Sequence, residues 1–376
     1  MKIIIDKNIP FIKGVLEPWA NVEYLEGSRI NNASLSGADA LIIRSRTHCG
    51  RDLLEGTDIK FVGSATIGTD HIDLEWCRDR GIKCVSAPGC NSGSVMQYLA
   101  SALVYLIGQY GFRPGNTSIG IVGVGNVGSK VARMAEILGF NVILNDPPRE
   151  RIEGSRGFSP LNSLLKNSDI VTIHVPLTFK GPDRTYQLVN DNFIRQMKDR
   201  AILINTSRGQ VADERSIMTG LAKNAIRAPV LDVWRNEPEI NYRLLEAAAL
   251  GTAHIAGYSV DGKTNGVKMV IRQLSEYFNL HLENWEPETL PQASEPLIDI
   301  SKFTGTDLEI ICRSIYHTYP IEKDSKLLKE NPSMFEKVRN EYSPRREFHA
   351  FEIKGNNELI INKLKELGFK YLKHTI

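Results

Sequence analysis

The chain is short of cysteine, of long apolar runs and of net charge. Its 376 residues include five cysteines and no C-x-x-C pair, and this small, odd number is typical of free thiols in a reducing cytoplasm. No run of about 18 apolar residues occurs, so we expect no membrane span, and the start MKIIIDKNIP is interpreted as a strand and not a signal peptide. The net charge is +2 and no basic cluster is long, so no nucleic-acid partner is expected.

Metal-ligand patterns and repeats are lacking as well. No grouping of Cys, His and Asp has the spacing of metal ligands, so we predict no metal site. No internal repeat or low-complexity tract is found. What remains is an ordinary globular composition, 42% hydrophobic and 24% charged, over a length that favours two or three domains.

The most informative stretch runs from Ser118 to Asp146 and has the pattern strand, tight turn, helix, strand, acid. Its turn has the spacing G-x-G-x-x-G, in which the first glycine permits a sharp turn, the second leaves room for a pyrophosphate and the third lets the helix approach the strand. Free N–H groups at the helix start would then hold the phosphates. The residues predicted to bind a dinucleotide here are Gly123, Gly125, Asn126, Val127, Gly128 and Asp146.

The acid at the end of this stretch indicates which dinucleotide binds. Asp146 lies about 20 residues beyond the glycines, where a carboxylate accepts hydrogen bonds from the ribose hydroxyls and repels a 2′-phosphate. NAD is therefore favoured over NADP, whereas Arg149 just beyond argues the other way. A glycine-rich turn of some other α/β protein is the alternative to a dinucleotide site.

Short apolar runs alternate with helical or polar stretches along most of the chain, which predicts βαβ units and parallel sheets. A long apolar helix is predicted from Ser92 to Tyr110, with a stop at Gly111, and another helix between Asn265 and Leu280. A strand and turn are expected around His254. The other predicted strands are Lys2–Asp6, Ala40–Arg44, Phe61–Ala65, Ile82–Ser86, Ile119–Val124, Val142–Leu144, Ile170–Val175, Ala201–Asn205 and Pro229–Val233.

The last part of the chain predicts a separate small α+β domain. Three prolines among polar residues predict a linker from His281 to Ile300. Because no catalytic motif follows, we favour a role in dimerisation over a regulatory role. The elements predicted beyond the linker are helices Leu308–Tyr316, Met334–Glu341 and Asn357–Leu367 and strands Glu347–Ile353 and Phe369–Lys373.

Three loops after predicted strands carry candidate catalytic residues. Arg208 lies in INTSRGQVAD, Glu237 in LDVWRNEPEI and His254 in AHIAGYS. A guanidinium grips a carboxylate, an imidazole exchanges a proton with a hydroxyl near neutral pH, and a carboxylate behind the imidazole fixes its tautomer. Together they would support hydride transfer from a 2-hydroxy acid. Taken singly, each has a plainer interpretation as a solvated charge or a structural histidine.

The chain resembles the D-isomer-specific 2-hydroxyacid dehydrogenases in GVGNVGSKVA (123–132), NTSRGQ (205–210), LDVWRNEP (231–238) and HIAG (254–257). The resemblance implies that Arg208, Glu237 and His254 form the catalytic set and that Asp232 contacts the nicotinamide. It also implies a Rossmann NAD domain (93–257), a flavodoxin-like substrate domain (1–92, completed by 258–282) and a C-terminal dimerisation domain (283–376). The further positions that it implies for the cofactor are Val175, Thr206, Ser207 and Gly257.

One branch of that family is a closer match over nearly the whole chain. Similar stretches are RSRT (44–47), ATIGTDHID (65–73), APGCNSGSV (87–95), HIAGYSVDGK (254–263) and YSPRREF (342–348). The resemblance implies NAD-dependent oxidation of 4-phospho-D-erythronate in vitamin B6 biosynthesis by a cytoplasmic homodimer. The residues expected to meet the substrate, mainly its phosphate, are Arg44, Ser45, Arg46, Thr66 and Tyr258.

The sequence leaves alternatives open for the function, for the arginines at 44 and 46, and for those at 345 and 346. The substrate could be another 2-hydroxy acid such as 3-phosphoglycerate, or the chain could be a non-catalytic, NAD-sensing protein that binds a partner. The arginines at 44 and 46 could form a surface ion-pair cluster instead of a phosphate site. A further hypothesis is that Arg345 or Arg346 reaches the active site of a neighbouring subunit.

Overall fold

The computed structural model describes residues 1–372 and divides the chain into two compact units. The first unit consists of Met1–Asn91 and Ser259–Pro291. The second consists of Ser92–Tyr258 and Gln292–Ile376, of which residues 373–376, including the predicted end of the last strand at Lys373, lie outside the described part.

The strands form three sheets in which every pairing is parallel. The strands are β1 (Lys2–Asp6), β2 (Asn21–Leu25), β3 (Ala40–Ile43), β4 (Phe61–Ser64), β5 (Lys83–Val85), β6 (Ser118–Val122), β7 (Asn141–Asn145), β8 (Ile170–Ile173), β9 (Ile202–Asn205), β10 (Val230–Leu231), β11 (Leu250–Gly251), β12 (Leu297–Asp299), β13 (Glu352–Lys354) and β14 (Lys370–Tyr371).

Fourteen α-helices accompany these strands within the described residues. They are α1 (Arg51–Leu54), α2 (Leu74–Asp79), α3 (Ser92–Tyr110), α4 (Gly128–Leu138), α5 (Pro147–Glu153), α6 (Leu161–Asn167), α7 (Asp191–Gln196), α8 (Glu214–Ala222), α9 (Tyr242–Ala247), α10 (Val260–Phe278), α11 (Asp307–Thr318), α12 (Glu322–Glu330), α13 (Phe335–Asn340) and α14 (Glu358–Leu367).

The first unit is built on a five-stranded sheet in the order β2-β1-β3-β4-β5. This is the flavodoxin-like order that the resemblance implied. Because side chains alternate along a strand, Ile4 and Leu41 pack in a core on one face, while Ile3 and Ile5 pack on the other. The second face is covered by α10, a helix from a distant part of the chain.

The second unit contains a six-stranded sheet in the order β11-β10-β9-β8-β6-β7. The order reverses at β6, so the carboxyl ends of β6 and β8 mark the point where doubly wound sheets bind ligands. Helices α3 and α4 pack together in a core that also takes in the three-stranded sheet β12-β13-β14 of the C-terminal domain. The small domain therefore shares a continuous core with the nucleotide-binding fold.

None of the helices within residues 1–372 has the length and apolar character needed to cross a membrane. In the same residues no group of three or more His, Cys, Asp or Glu side chains is arranged to hold a metal ion.

Candidate active site

The glycine-rich turn between β6 and α4 has the close packing that its sequence predicts. Gly123 has a φ of +87°, and a Cβ added to Gly128 would lie 1.9 Å from the carbonyl oxygen of Gly123. A larger residue at 128 would therefore push the helix off the turn. At Gly125 an added Cβ would meet nothing within 4 Å, so the turn leaves open space where a pyrophosphate is expected.

The carboxylate of Asp146 lies at the end of β7, next to this turn. It accepts hydrogen bonds from the N–H of Val124 at 2.8 Å and from the N–H of Arg149 at 3.0 Å, and it caps α5. The guanidinium of Arg149 is paired with Glu153, with Nε and Nη2 both 2.7 Å from carboxylate oxygens. Since Arg149 is neutralised by a neighbouring acid, the local charge favours NAD over NADP.

The other cofactor positions follow the carboxyl ends of neighbouring strands. Val175 follows β8, Thr206 and Ser207 follow β9, and Gly257 follows β11. The hydroxyl of Thr206 is buried and has no hydrogen-bond partner among residues 1–372, as expected of a group whose partner is a ligand. These residues, together with the open turn, fit a bound dinucleotide.

Asp232, which the family resemblance predicts to contact the nicotinamide, is almost entirely buried. Only 1% of it is exposed, and its carboxylate accepts hydrogen bonds from the N–H groups of Ile255 at 2.8 Å and Ala256 at 2.9 Å. The hydroxyl of Thr252 donates a third bond at 2.6 Å. In the structure, Asp232 therefore braces the loop that bears His254.

His254 and Glu237 form a close pair at the ends of β11 and β10. His254 Nδ1 lies 2.7 Å from Glu237 Oε2, and because a carboxylate only accepts, Nδ1 carries the proton and Nε2 is left to face a substrate. The side chain of His254 is 28% exposed and that of Glu237 18%, so the pair is partly open to a ligand. His254 has a φ of +56°, a conformation rare outside glycine, and its N–H donates to the carbonyl of Asp232.

Several contacts keep Glu237 ionised. Burial alone would raise the pKa of Glu237, but the imidazole of His254, the N–H of Trp234 at 3.0 Å and the guanidinium of Arg339 together hold that pKa below its ordinary value. An ionised Glu237 fixes the tautomer of His254 and stabilises its protonated form during proton transfer.

Arg208 lies in the loop after β9, as predicted. The amide of Asn205 donates to the carbonyl of Arg208 at 3.1 Å, and Arg208 Nη1 donates to the carbonyl of Ser207 at 2.9 Å. An added Cβ on Gly209 would lie 1.9 Å from the carbonyl oxygen of Trp234. The Arg208 loop is therefore packed against the segment that carries Glu237, which brings the three predicted catalytic residues onto adjoining loops.

Arg339 on α13 was missed by the sequence analysis. Its Nη1 lies 3.6 Å from Glu237 Oε2, and its Nε donates to the hydroxyl of Tyr258 at 3.2 Å. Nothing in the local sequence marks it, since the contact joins residues about a hundred positions apart. The C-terminal part of the chain thus supplies a side chain that contacts the carboxylate of Glu237.

The four residues predicted for the phosphate within the first unit lie after β3 and β4. Arg44 Nε is 3.0 Å from Asp6 Oδ2, and the Thr66 hydroxyl is 2.7 Å from that of Ser64. Ser45 and Arg46 are exposed. Tyr258, the fifth predicted residue, belongs to the second unit.

Lys263, a cation that the sequence analysis did not single out, lies near Arg44 in the first unit. Burial lowers the pKa of Lys263 on α10, and the nearby charge of Arg44 lowers it further. Gly266, three residues along α10, packs so closely on β4 that an added Cβ would lie 2.8 Å from the carbonyl of Ala65. The like charges of Arg44 and Lys263 are thus held together in the first unit, as in sites that bind anions.

Arg345 contacts residues of its own chain. Its guanidinium donates to the carbonyls of Ser94 at 2.9 Å and Ala256 at 2.7 Å and lies over the ring of Tyr319. These bonds engage the Arg345 guanidinium within its own chain, so the hypothesis of a contact with a neighbouring active site now favours Arg346.

Known proteins share the sequence pattern and the fold of this chain. Residues 108–256 match the family model described as D-isomer specific 2-hydroxyacid dehydrogenase, NAD binding domain, and residues 290–368 match a domain of unknown function. The solved D-lactate dehydrogenase of Aquifex aeolicus, complexed with NAD and lactic acid, has a TM-score of 0.63 at 23% identity. The match covers 75% of this chain and 97% of that one, and it shows the shared fold.

Curated relatives match over nearly the full length. The erythronate-4-phosphate dehydrogenase of Bacteroides thetaiotaomicron is 45% identical, over 94% of this chain and 99% of the relative. That of Cronobacter sakazakii is 37% identical over 100% of both chains. NAD is therefore the cofactor, as predicted. The chain belongs to the erythronate-4-phosphate dehydrogenases, within the D-isomer specific 2-hydroxyacid dehydrogenase family.

Proposed function

We propose that the chain oxidises 4-phospho-D-erythronate to (R)-3-hydroxy-2-oxo-4-phosphooxybutanoate in pyridoxal 5′-phosphate biosynthesis. The observation that carries the proposal is the 2.7 Å pair of His254 and Glu237, which lies on the same sheet edge as the glycine turn that fits NAD. The near full-length similarity to enzymes named for this substrate supports the choice of hydroxy acid.

Each catalytic residue has a distinct role in this reaction. The glycine turn and Asp146 would hold NAD, which would supply the acceptor for the hydride of substrate C2. His254 Nε2 removes the proton of the C2 hydroxyl, and Glu237 stabilises the resulting imidazolium through Nδ1. Arg208 holds the substrate carboxylate through two N–H donors. The hydroxyl thereby loses one proton and C2 loses one hydride, which leaves a 2-oxo acid.

The test is a comparison of acids with the purified chain. NADH absorbance is followed with 4-phospho-D-erythronate, 3-phosphoglycerate and unphosphorylated D-erythronate, each with NAD. Selective turnover of the first is the expected result. Turnover of 3-phosphoglycerate instead would keep the mechanism and reject the substrate, while no turnover of any acid, even in a single-turnover burst, would favour a protein that binds NAD without catalysis.

We propose that Arg44, Ser45, Arg46, Thr66 and Tyr258 bind the substrate, with the two arginines on its phosphate. Arg46→Ala and Arg44→Ala are each expected to raise KM for the phosphorylated substrate about 10- to 100-fold, the effect of a lost charge-assisted hydrogen bond. KM for NAD and activity on D-erythronate should change little. The measurement is steady-state kinetics on both acids.

A control separates binding from stability in these variants. Arg44 also pairs with Asp6, which is fully buried, so Arg44→Ala needs a thermal unfolding curve beside its kinetics. Arg51→Ala, which removes an exposed partner of Glu55, is the matched control. An unchanged KM for the phosphorylated acid in both variants would reject the site.

The domain roles are part of the proposal. We assign residues 1–92 and 258–282 to substrate binding, 93–257 to NAD binding and 283–376 to dimerisation. The compact first unit, which joins residues 1–91 to 259–291, supports the interrupted substrate domain. The five free cysteines support a cytoplasmic location, which cell fractionation would test.

The proposed homodimer is supported by exposed apolar side chains in the C-terminal domain. Leu297, Leu327 and Leu359 are 50%, 46% and 56% exposed, and we propose that they contribute to the dimer interface. Sedimentation of the full chain should give twice the mass of one chain, and Leu359→Glu should shift it toward the monomer. Ile152→Glu, at an exposed apolar site outside that domain, is the control. A monomeric wild type would reject the dimer.

A further inference from the structure

We propose that Arg339 of the C-terminal domain is a positioning residue of the active site, which holds the Glu237 carboxylate beside His254 and orients the hydroxyl of Tyr258. The inference rests on the proposed function, because it assigns Glu237 and His254 to proton transfer. It goes further in giving the C-terminal domain a part in catalysis within one subunit.

The contacts of Arg339 are directed at two site residues. Its Nη1 is 3.6 Å from Glu237 Oε2, the same oxygen that lies 2.7 Å from His254 Nδ1. Its Nε donates to the Tyr258 hydroxyl at 3.2 Å. One side chain therefore links the carboxylate behind the base to a residue expected to meet the substrate.

The position of Arg339 on α13 is fixed by packing. Phe335 is one helical turn earlier on the same face and is 1% exposed, within a core that includes Trp234. Trp234 in turn donates its N–H to Glu237 and its indole N–H to the carbonyl of Thr252. The Arg339 side chain is only 23% exposed, and the buried Phe335 anchors its helix beside Glu237.

The charged groups around Glu237 determine how the loss of Arg339 should change the protonation of His254. His254 faces it from the loop after β11, and Arg339 faces it from α13. Arg235, on the same segment as Glu237, has its guanidinium 3.6 Å from Asp213 instead. Arg339 thus favours an ionised Glu237 and opposes a second positive charge on His254, whereas Glu237 favours that charge.

Removal of Arg339 and removal of Glu237 should therefore shift the pH dependence of kcat/KM in opposite directions. Arg339→Ala leaves the imidazolium better stabilised, so the acid limb of kcat/KM should move to higher pH. Glu237→Gln removes the stabilising carboxylate, so the limb should move to lower pH. We expect Arg339→Ala to lower kcat about 10-fold, as for other residues that orient a catalytic group, with a smaller change in the affinity for NAD.

The experiment compares Arg339→Ala, Arg339→Lys and Glu237→Gln in the full chain with NAD. Lys337→Ala is the matched control, because it removes a cation from an exposed position on the same helix. Arg339→Lys keeps the charge and should leave the acid limb near that of the wild type. Thermal unfolding of each variant identifies any loss of activity that is due to folding alone.

A second readout makes the inference independent of turnover. The ring proton of His254 can be titrated by NMR, and the imidazole should titrate at higher pH in Arg339→Ala than in the wild type or in Lys337→Ala. If Arg339→Ala changed neither the acid limb of kcat/KM nor the pH at which the His254 ring titrates, the inference would be overturned, even if the rate fell. A wild type without turnover would reject the proposed reaction, while the NMR titration would still decide the role of Arg339.

Discussion

His254→Gln is expected to lower kcat for the proposed substrate by about 10²- to 10⁴-fold, the range over which a positioned general base contributes. The ring nitrogen that faces the substrate has no equivalent in a glutamine amide. The brace on the loop should survive, since Asp232 bonds to the backbone of Ile255 and Ala256 and not to the ring. NADH binding, measured by fluorescence, should therefore stay near that of the wild type.

The exposed His281→Gln is the control for this variant, because it makes the same side-chain change at a position that is not among the proposed site residues. Rates are followed as NADH absorbance across pH 6 to 9. If His254→Gln kept more than about a tenth of the wild-type kcat, another group would be the base, and the role of Glu237 would have to be reassigned.

Most strands and the longest helices could be predicted from the sequence, because their patterns are local. Continuous apolar runs gave the strand Lys2–Asp6 with the observed bounds, and helix Ser92–Tyr110 was predicted with both ends correct. The helix ends where Gly111 adopts a φ of +67°, as a glycine stop requires. Parallel pairing followed from the alternation of strands and helices.

The errors fall on elements whose stability comes from tertiary contacts. The edge strand β2 was missed because NVEYL is only half buried, and α12 was missed because EKDSKLLKE is mostly charged. The expected linker contains β12, which pairs with β13. The strand predicted from Glu347 begins instead with a helical turn, Phe348–Ala350, so only its last two residues, Glu352 and Ile353, belong to a strand.

In the candidate site too, short motifs could be predicted from the sequence, whereas contacts between distant residues could not. The glycine turn, Asp146 and the loops of Arg208, Glu237 and His254 are each short motifs, and the structure has them on one sheet edge. The positive φ of His254 could not be predicted, because it depends on Asp232 some twenty residues away. Nor could the contact of Arg339 with Glu237, since neither residue carries a signal of the other.

Two arginines of the C-terminal domain thus have separate parts in the same active site. Arg339 acts on the catalytic carboxylate, whereas Arg345 acts on the backbone of the loop that follows His254. In the proposed mechanism, removal of the appended domain would therefore change catalysis.

Arg345→Ala is expected to give the largest loss of stability of any variant considered. The guanidinium donates to three backbone carbonyls of the loop after His254 and to one at the start of α3, as well as to two side chains. These acceptors are the carbonyls of Ile255, Ala256, Tyr258 and Ser94, the hydroxyl of Tyr342 and the amide oxygen of Gln97. Leaving several such acceptors without a donor costs about 3–5 kcal/mol in the free energy of unfolding.

Thermal and chemical unfolding of the full chain measure this loss, with Arg313→Ala as the control that removes an exposed arginine from α11 of the same domain. Activity should fall with stability, because the loop that carries His254 loses its support. Arg345→Lys should recover little, since an ammonium has three donors and cannot reproduce the planar fork that spans these carbonyls. A stable Arg345→Ala variant with impaired substrate binding would instead restore the hypothesis that this arginine serves a neighbouring subunit.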